Sequence, residues 1–423
     1  MRITLRRVVS TFVAATMVIL VVGPRLEAQR GADGDAIVPF RIDVPDSVLT
    51  DLKERLARTR YPDEIEGAGW DYGTNLSFMK SLVSYWHDTF DWRSQEKRLN
   101  QFQQFKTTVD DVGIYFIHVR SKHAGARPLL MLNGWPGAID EFSKVIGPLT
   151  DPVAFGGRAD DAYHVVVPFM PGFAFSDKPR TRGLGPARIA PMWTTLMARL
   201  GYARYAVHGT DWGASVATFM ALRNPTSISA LHLATCIGAV PAPPTPSGNR
   251  PLPTSSNAGY MEIHSTKPQT LAFSLADSPA GLAAWISEKY HGWVDNNGDV
   301  ESVYSKDQLL TILTVYWATN TGPSSVRLYY ESRTPDGRML PTFMDGFLPA
   351  LPAGRVTVPT GCTAFSGRFD RRTTGASPPV RGPVEARYNL VHWYVSERGG
   401  HFPAFEQPQL WLDDIRTFLR GRT

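Results

Sequence analysis

The stretch Val207-His208-Gly209-Thr210-Asp211-Trp212-Gly213-Ala214 constrains the chain more than any other. The apolar run Tyr205-Ala206-Val207 before it reads as a buried strand, and Ala214 to Leu222 after it reads as a helix. Between them, Gly209 and Gly213 bracket Asp211 in the spacing of a tight strand-to-helix turn, whose central residue is strained and stands exposed at the end of a sheet. A carboxylate at that apex is ionised near neutral pH and can attack a tetrahedral carbon directly, whereas a serine would need a base to activate it. A histidine elsewhere in the site is then free to activate water. An Asp between glycines is also what an ordinary turn or a helix N-cap looks like, so the reading depends on the rest of the chain.

With 423 residues the chain can form one large domain with an insertion, or two to three domains. Its formal net charge of +5 is carried without a Lys/Arg tract or basic helix, which argues against a nucleic-acid surface. Arg2, Arg6 and Arg7 precede an apolar run from Val8 to Val22, the pattern of a secretory signal, and Leu26-Glu27-Ala28 supplies a cleavage site. The run is short for a membrane span. Export, secreted or periplasmic, is expected, with retention of this segment as an N-terminal membrane anchor as the alternative. The two cysteines, Cys236 and Cys362, each sit in an apolar strand-like run, so buried free thiols are expected rather than a disulfide.

From Ile37 to about Arg120 the chain precedes the main sheet pattern. Pro45-Asp46-Ser47 opens a capped amphipathic helix through Leu52 and Leu56, and Leu76 to Phe90 forms a second helix. Val109 to Val119 reads as a hairpin turned at Gly113, and Pro128 to Leu132 as a buried strand running into the loop Asn133-Gly134-Trp135-Pro136-Gly137. Further strand signals at Tyr163 to Pro168, Ile228 to Cys236, Arg355 to Phe365 and Asn389 to Val395 alternate with helix signals at Arg188 to Leu200 and Gln409 to Leu419. This alternation predicts an α/β fold with a mostly parallel central sheet covered by helices on both faces. Pro241 to Pro253 reads as a loop, and the aromatic-rich helices from Tyr260 to about Tyr330 interrupt the pattern as an inserted helical cap would.

Pro39-Phe40, Val44-Pro45, Leu52, Arg55-Leu56, Thr59-Arg60, Trp70, Tyr85-Trp86, Phe90-Asp91-Trp92-Arg93 and Leu99-Asn100 follow one another in an order that resembles the N-terminal domain of microsomal-type epoxide hydrolases. The similarity continues to the C-terminus, and Pro171-Gly172-Phe173-Ala174-Phe175-Ser176 is similar to that family's P-G-[FY]-x-[FW]-S loop. The resemblance implies an α/β-hydrolase fold divided into a signal or anchor (1–30), an N-terminal wrapping segment (36–108), a first core part (109–240), a helical cap (241–345) and a second core part (346–423). Asn133 stands where the family usually has His.

Roles follow for particular residues. Asp211 is the expected nucleophile. His401, in the Gly-rich loop Arg398-Gly399-Gly400-His401-Phe402 after the last strand, is the expected base. The acid that orients it should lie within Ser366 to Asp370, where an ungapped comparison places Arg368 at the acid's position; Asp370 is the candidate and Glu385 the alternative. The backbone N–H groups of Trp135 and Trp212 are the expected oxyanion-hole donors. Tyr260 and Tyr329 match the family positions that donate hydrogen bonds to an epoxide oxygen, and since helical neighbours diverge by about 100 degrees, only one of Tyr329 and Tyr330 can face Asp211.

The implied reaction opens an epoxide to a vicinal diol through an ester on Asp211 that a His401-activated water hydrolyses. The expected partners are a small apolar epoxide and water, with no nucleic acid, membrane contact only through a retained N-terminus, and a homo-oligomer left open. No metal or organic cofactor is expected, since neither metal-ligand spacing nor a Walker motif is present. A haloalkane dehalogenase would use the same Asp with Trp212 gripping halide, and a catalytically silent hydrolase-fold binder of small apolar ligands is the rival from a different class.

Overall fold

Short β-branched and aromatic runs separated by turn formers build the sheet, and the helices are laid on it by their apolar faces. The computed structural model describes residues 35–236, 259–332, 354–367 and 379–422. The expectations for residues 1–30 and for Pro241 to Pro253 lie outside the described residues. The described elements belong to one compact unit, Ile37–Thr423.

β1 (Val38–Phe40) leads to helices α1 (Asp46–Ala57), α2 (Leu76–Asp88) and α3 (Trp92–Leu99). α1 starts where expected but has no side-chain cap: its N-cap is Pro45, which offers no acceptor, and the Asp46 carboxylate is taken by Arg93 of α3. The next pair, β2 (Gln104–Val109) and β3 (Val112–Val119), forms a hairpin turned at Asp110–Asp111 rather than at Gly113. Both aspartates take a left-handed conformation, φ 50° and 61°, which Asp tolerates better than most residues. Gly113 lies inside β3 opposite Thr108, and its missing side chain leaves room for the Asp177 carboxylate.

The sheet continues with β4 (Arg127–Leu132), helix α4 (Ser143–Thr150), β5 (Tyr163–Pro168), α5 (Pro186–Arg199), β6 (Tyr205–Gly209), α6 (Trp212–Arg223) and β7 (Ile228–Leu233). A helical block follows: α7 (Gly259–Thr266), α8 (Pro268–Asp277), α9 (Pro279–Trp293), α10 (Lys306–Ala318) and α11 (Gly322–Glu331). The chain then completes the sheet with β8 (Val356–Phe365), α12 (Arg381–Arg387) and β9 (Tyr388–Ser396), and ends in α13 (Pro403–Glu406) and α14 (Pro408–Leu419). Strand order is β1-β2-β3-β5-β4-β6-β7-β8-β9, antiparallel through β3 and β5 and parallel from β5 onward. The expected α/β-hydrolase architecture is therefore present, with α5 and α6 packed together in one layer and α4, α13 and α14 in another.

Two features tie distant segments to this sheet. Trp86 donates to Thr314 Oγ1 at 3.0 Å and Arg98 holds buried Asp140 through two bonds of 2.8 Å, so the N-terminal helices grip both the helical block and the loop after β4. At the other side, His232, His392 and Thr363 converge on the Asp414 carboxylate of α14 at 2.9, 2.7 and 2.6 Å. Burial alone would raise that carboxyl's pKa, but the hydrogen bonds from His232 and His392 outweigh it and hold the group below the usual carboxylate range.

Cys236 and Cys362 are joined in a disulfide across 126 residues, with Cα atoms 5.7 Å apart, so the expectation of free thiols is corrected. Cys236 lies just past the end of β7 and Cys362 within β8, and these strands are neighbours in the sheet although the whole helical block separates them in sequence. A cross-link over so long a loop restricts the unfolded chain strongly. Replacing both residues, Cys236→Ser with Cys362→Ser, should lower unfolding stability by about 2–5 kcal/mol. Denaturant titration checks the stability, and titration of the unreduced, denatured wild type should find no free thiol.

Candidate active site

β4 and β6 lie side by side, with Leu132 paired to Gly209, although β5 intervenes in sequence. The loop after β4 and the turn after β6 therefore emerge together at the C-terminal ends of parallel strands, where open α/β sheets place their sites. Asp211 occupies the turn with φ 49° and ψ −130°, a conformation that costs about 1–3 kcal/mol. A side chain at Gly213 would overlap the carbonyl of Leu132, and one at Gly209 would come within 2.7 Å of Gly213 O, which is why glycine brackets the apex. Hydrogen bonds from Thr210 N to Leu132 O (3.0 Å) and from Asp211 N to Thr235 Oγ1 (2.9 Å) hang the turn between the ends of β4 and β7.

The Asp211 side chain does not cap α6. Its Oδ1 accepts from the backbone N–H of Trp135 at 2.9 Å, and its Oδ2 faces His401 Nε2 at 3.4 Å. Gly134 is obligatory beneath it, because a Cβ there would collide with Oδ1; the same point lies 2.6 Å from Trp212 N, so both expected oxyanion donors border the carboxylate. The loop carrying Trp135 is pinned from several sides. Asn133 Nδ2 donates to Ala138 O at 3.4 Å, and from the helical block Tyr290 and Tyr316 donate to Pro136 O (3.3 Å) and Gly137 O (3.0 Å). Asn133 thus does serve as a loop anchor.

The histidine loop is stitched to the end of α9. His401 N donates to Trp293 O at 2.8 Å, and Gly399 N to Asp295 Oδ2 at 2.9 Å. Glu406 collects three backbone amides at 2.8 Å each, those of Asp295, Gly400 and Phe402. The His401 ring packs on Trp293 with centroids 4.7 Å apart. Of the two acid candidates, Asp370 lies outside the described residues, as does Arg368, while Glu385 is exposed on α12 and paired with Arg381 at 2.6 Å.

Tyr260 and Tyr329 come from opposite ends of the helical block and meet edge to face, ring centroids 5.8 Å apart. Tyr260 stacks on Trp135 at 5.3 Å and Tyr329 stands edge-on to Trp212 at 4.8 Å. Tyr330 is 42% exposed, so the phase of α11 assigns the inward position to Tyr329. Burial, reinforced by the Asp211 charge, raises the pKa of both phenols above the ordinary tyrosine value, and they remain hydrogen-bond donors at neutral pH.

Glu141, one short 3-10 turn beyond the Gly-rich loop, escapes sequence reasoning. In Asp140-Glu141-Phe142 it looks like a solvated turn carboxylate, yet it is 5% exposed. Burial pushes its carboxyl up to about 8, with the negative Asp211 adding to the effect and His401 and the Asn133 hydrogen bond opposing it. Among the described residues no group of His, Cys, Asp and Glu side chains could hold a metal ion.

The chain is similar to known proteins over most of its length. The family model described as "Epoxide hydrolase N terminus" covers residues 37–142, and that described as "alpha/beta hydrolase fold" covers residues 127–252. A Stigmatella aurantiaca protein whose name assigns it provisionally to the epoxide hydrolases is 41% identical over 393 residues, 91% of this chain and 85% of its own. Epoxide hydrolase 1 of Sus scrofa is 34% identical over 421 residues, covering 92% of this chain and 89% of its own. The crystal structure of the juvenile hormone epoxide hydrolase of the silkworm Bombyx mori superposes with a TM-score of 0.77 at 31% identity, over 93% of this chain and 96% of that one.

The raised Glu141 carboxyl gives a pH signature. Difference infrared spectra between wild type and Glu141→Gln should show a protonated-carboxyl band in acid that disappears as the pH passes through about 8. The folded chain holds this proton, whereas the unfolded chain releases it above about pH 4.3, so the group's contribution to stability falls as the pH rises between those values. Unfolding titrations across that window should show a shallower loss for Glu141→Gln.

Proposed function

The chain belongs to the microsomal-type epoxide hydrolases, and on that premise we propose that it converts an epoxide to a vicinal diol through an ester on Asp211. The observation that carries the reading is the Asp211 carboxylate itself: one oxygen sits on the Trp135 amide and the other faces His401. Oδ2 attacks one epoxide carbon and the carbon–oxygen bond breaks toward Tyr260 and Tyr329, one of which gives its proton to the departing oxygen.

Oδ1 becomes the ester carbonyl, already seated on Trp135 N with Trp212 N beside it. His401 takes a proton from water, whose oxygen adds to Asp211 Cγ; the tetrahedral oxyanion rests on the two amides. Collapse expels the diol oxygen, which takes the proton from His401. The new Asp211 carboxyl returns its proton to the phenolate, closing the cycle with one water consumed.

Asp370 is proposed as the acid that orients His401. Support comes from the sheet: Phe365 at the end of β8 pairs with Ser396 of β9, and Gly367 N donates to Gly399 O at 2.7 Å, so the chain leaving β8 starts beside the histidine loop. The helical block is proposed as a cap that delivers the two phenols. Export is the proposed location, since disulfides persist in oxidising compartments.

A panel of aliphatic and aryl oxides should be turned over to diols, with Asp211→Asn reducing kcat by at least about 10³-fold. In His401→Gln, brief exposure to an epoxide should add its mass to the peptide bearing Asp211. A wild-type single turnover in ¹⁸O-water should leave the label in Asp211 and not in the diol. Label appearing directly in the diol, or halide release from haloalkanes without any diol formation, would reject the proposed route.

A further inference from the structure

We propose that His264 is a substrate-recognition residue, and that its Nδ1–H donates a hydrogen bond to an acceptor oxygen carried by the substrate beside the epoxide. The inference rests on the assignment of Tyr260 and Tyr329 as the phenols facing that epoxide. His264 follows Tyr260 by four residues on α7, so the two side chains share one helix face. Its side chain is fully buried. The ring packs among the aromatic groups that wall the site, with centroids 4.7 Å from Trp135, 4.7 Å from Tyr329 and 5.3 Å from Tyr260.

The tautomer follows from one contact. Trp285 Nε1, which can only donate, gives its hydrogen to His264 Nε2 at 3.0 Å, so Nε2 is an acceptor and the proton of the neutral ring is on Nδ1. Burial, with the Lys289 cation nearby, holds the ring well below the usual histidine range, in the neutral form. Nδ1 points away from Trp285 and, among the described residues, has no hydrogen-bond partner. The surrounding aromatic faces are weak acceptors. A buried donor left unmet costs free energy that a properly placed ligand oxygen recovers, and buried donors of this kind discriminate strongly against ligands that lack the acceptor.

The ligand class is therefore an epoxide with an ether, ester or carbonyl oxygen near the oxirane, gripped at two points: the oxirane oxygen by the phenols and the second oxygen by His264. Phenyl glycidyl ether and its all-carbon isostere, 1,2-epoxy-4-phenylbutane, differ only in that second oxygen. Wild type should favour the ether in kcat/KM, and His264→Phe should erase the preference by about tenfold, the scale of one hydrogen bond. His264→Leu makes the same comparison should the Phe variant not fold, and His264→Gln, which can accept from Trp285 and still donate, should keep the preference. A ratio between the two substrates that is the same in wild type, Phe and Leu variants would overturn the inference. Wild type that opens neither epoxide would remove the Asp211 reading and this inference with it.

Discussion

The close approach of two main chains, Gly213 against the carbonyl of Leu132, is what the rest of the site depends on. Only glycine permits it, and it draws the turn after β6 so tightly under the loop after β4 that Asp211 must take a left-handed conformation. The strain is offset by hydrogen bonds that the turn's amides donate to Leu132 O and to the Thr235 hydroxyl at the neighbouring strand ends, and it has a geometric consequence. The carboxylate is lifted off the helix it would otherwise cap and set against Trp135 N. A residue that looks like a helix N-cap in sequence is thereby made available for chemistry.

Four groups near that carboxylate, Tyr260, Tyr329, His264 and Glu141, share one electrostatic property. Burial raises the pKa of both phenols, lowers that of His264 and raises that of Glu141, so each of these neighbours is uncharged near neutral pH. A buried charge without a partner is far more expensive than a buried dipole. A wall of neutral donors can therefore meet the negative charge that develops on an oxirane oxygen without first paying to desolvate a cation, and it needs no reorganisation when that charge appears. The rings of Trp135, Trp212, Tyr260 and Tyr329 pack against one another beside these dipoles, and apolar surroundings strengthen a dipole's interaction with charge.

What the sequence reveals is what local spacing controls. The elbow, the loop after β4 and the histidine loop are each contiguous, so glycine placement and strand context point to Asp211, Trp135 and His401, and the resemblance along the rest of the chain supplies their expected roles. Helix phase settles less: Tyr329 and Tyr330 are both plausible until packing turns one outward. Relations across the helical block are invisible in the sequence, so the Cys236–Cys362 pairing is not legible there, since nothing local shows that β7 and β8 are neighbours. The sequence favours Gly113 for the hairpin turn because glycine is the default left-handed residue, whereas the turn falls at Asp110–Asp111. Glu141 and Glu406 read as ordinary surface acids, because their meaning comes entirely from the partners that folding brings to them.

Glu406 shows how the helical block and the base are joined. Its carboxylate accepts from two amides of the histidine loop and from Asp295 of the block, while Trp293 supplies the carbonyl that His401 N needs. β9 is three strands away from β6, so the histidine loop must reach back across the sheet to meet Asp211. Glycine at 399 and 400 gives the loop the freedom to do so but no reason to stay; Gly399 takes φ 86°, and Gly400 lies so close to Trp293 O that no side chain fits. Glu406 and Gly367 hold the loop from its own side of the sheet, and Trp293 O and Asp295 hold it from the inserted helices, which also provide Tyr260 and Tyr329. The insertion therefore contributes to both halves of the proposed reaction, placing the donors that open the ring and bracing the base that frees the ester. A shift of the block by about an ångström would disturb both at once, because each depends on distances held to a few tenths of an ångström.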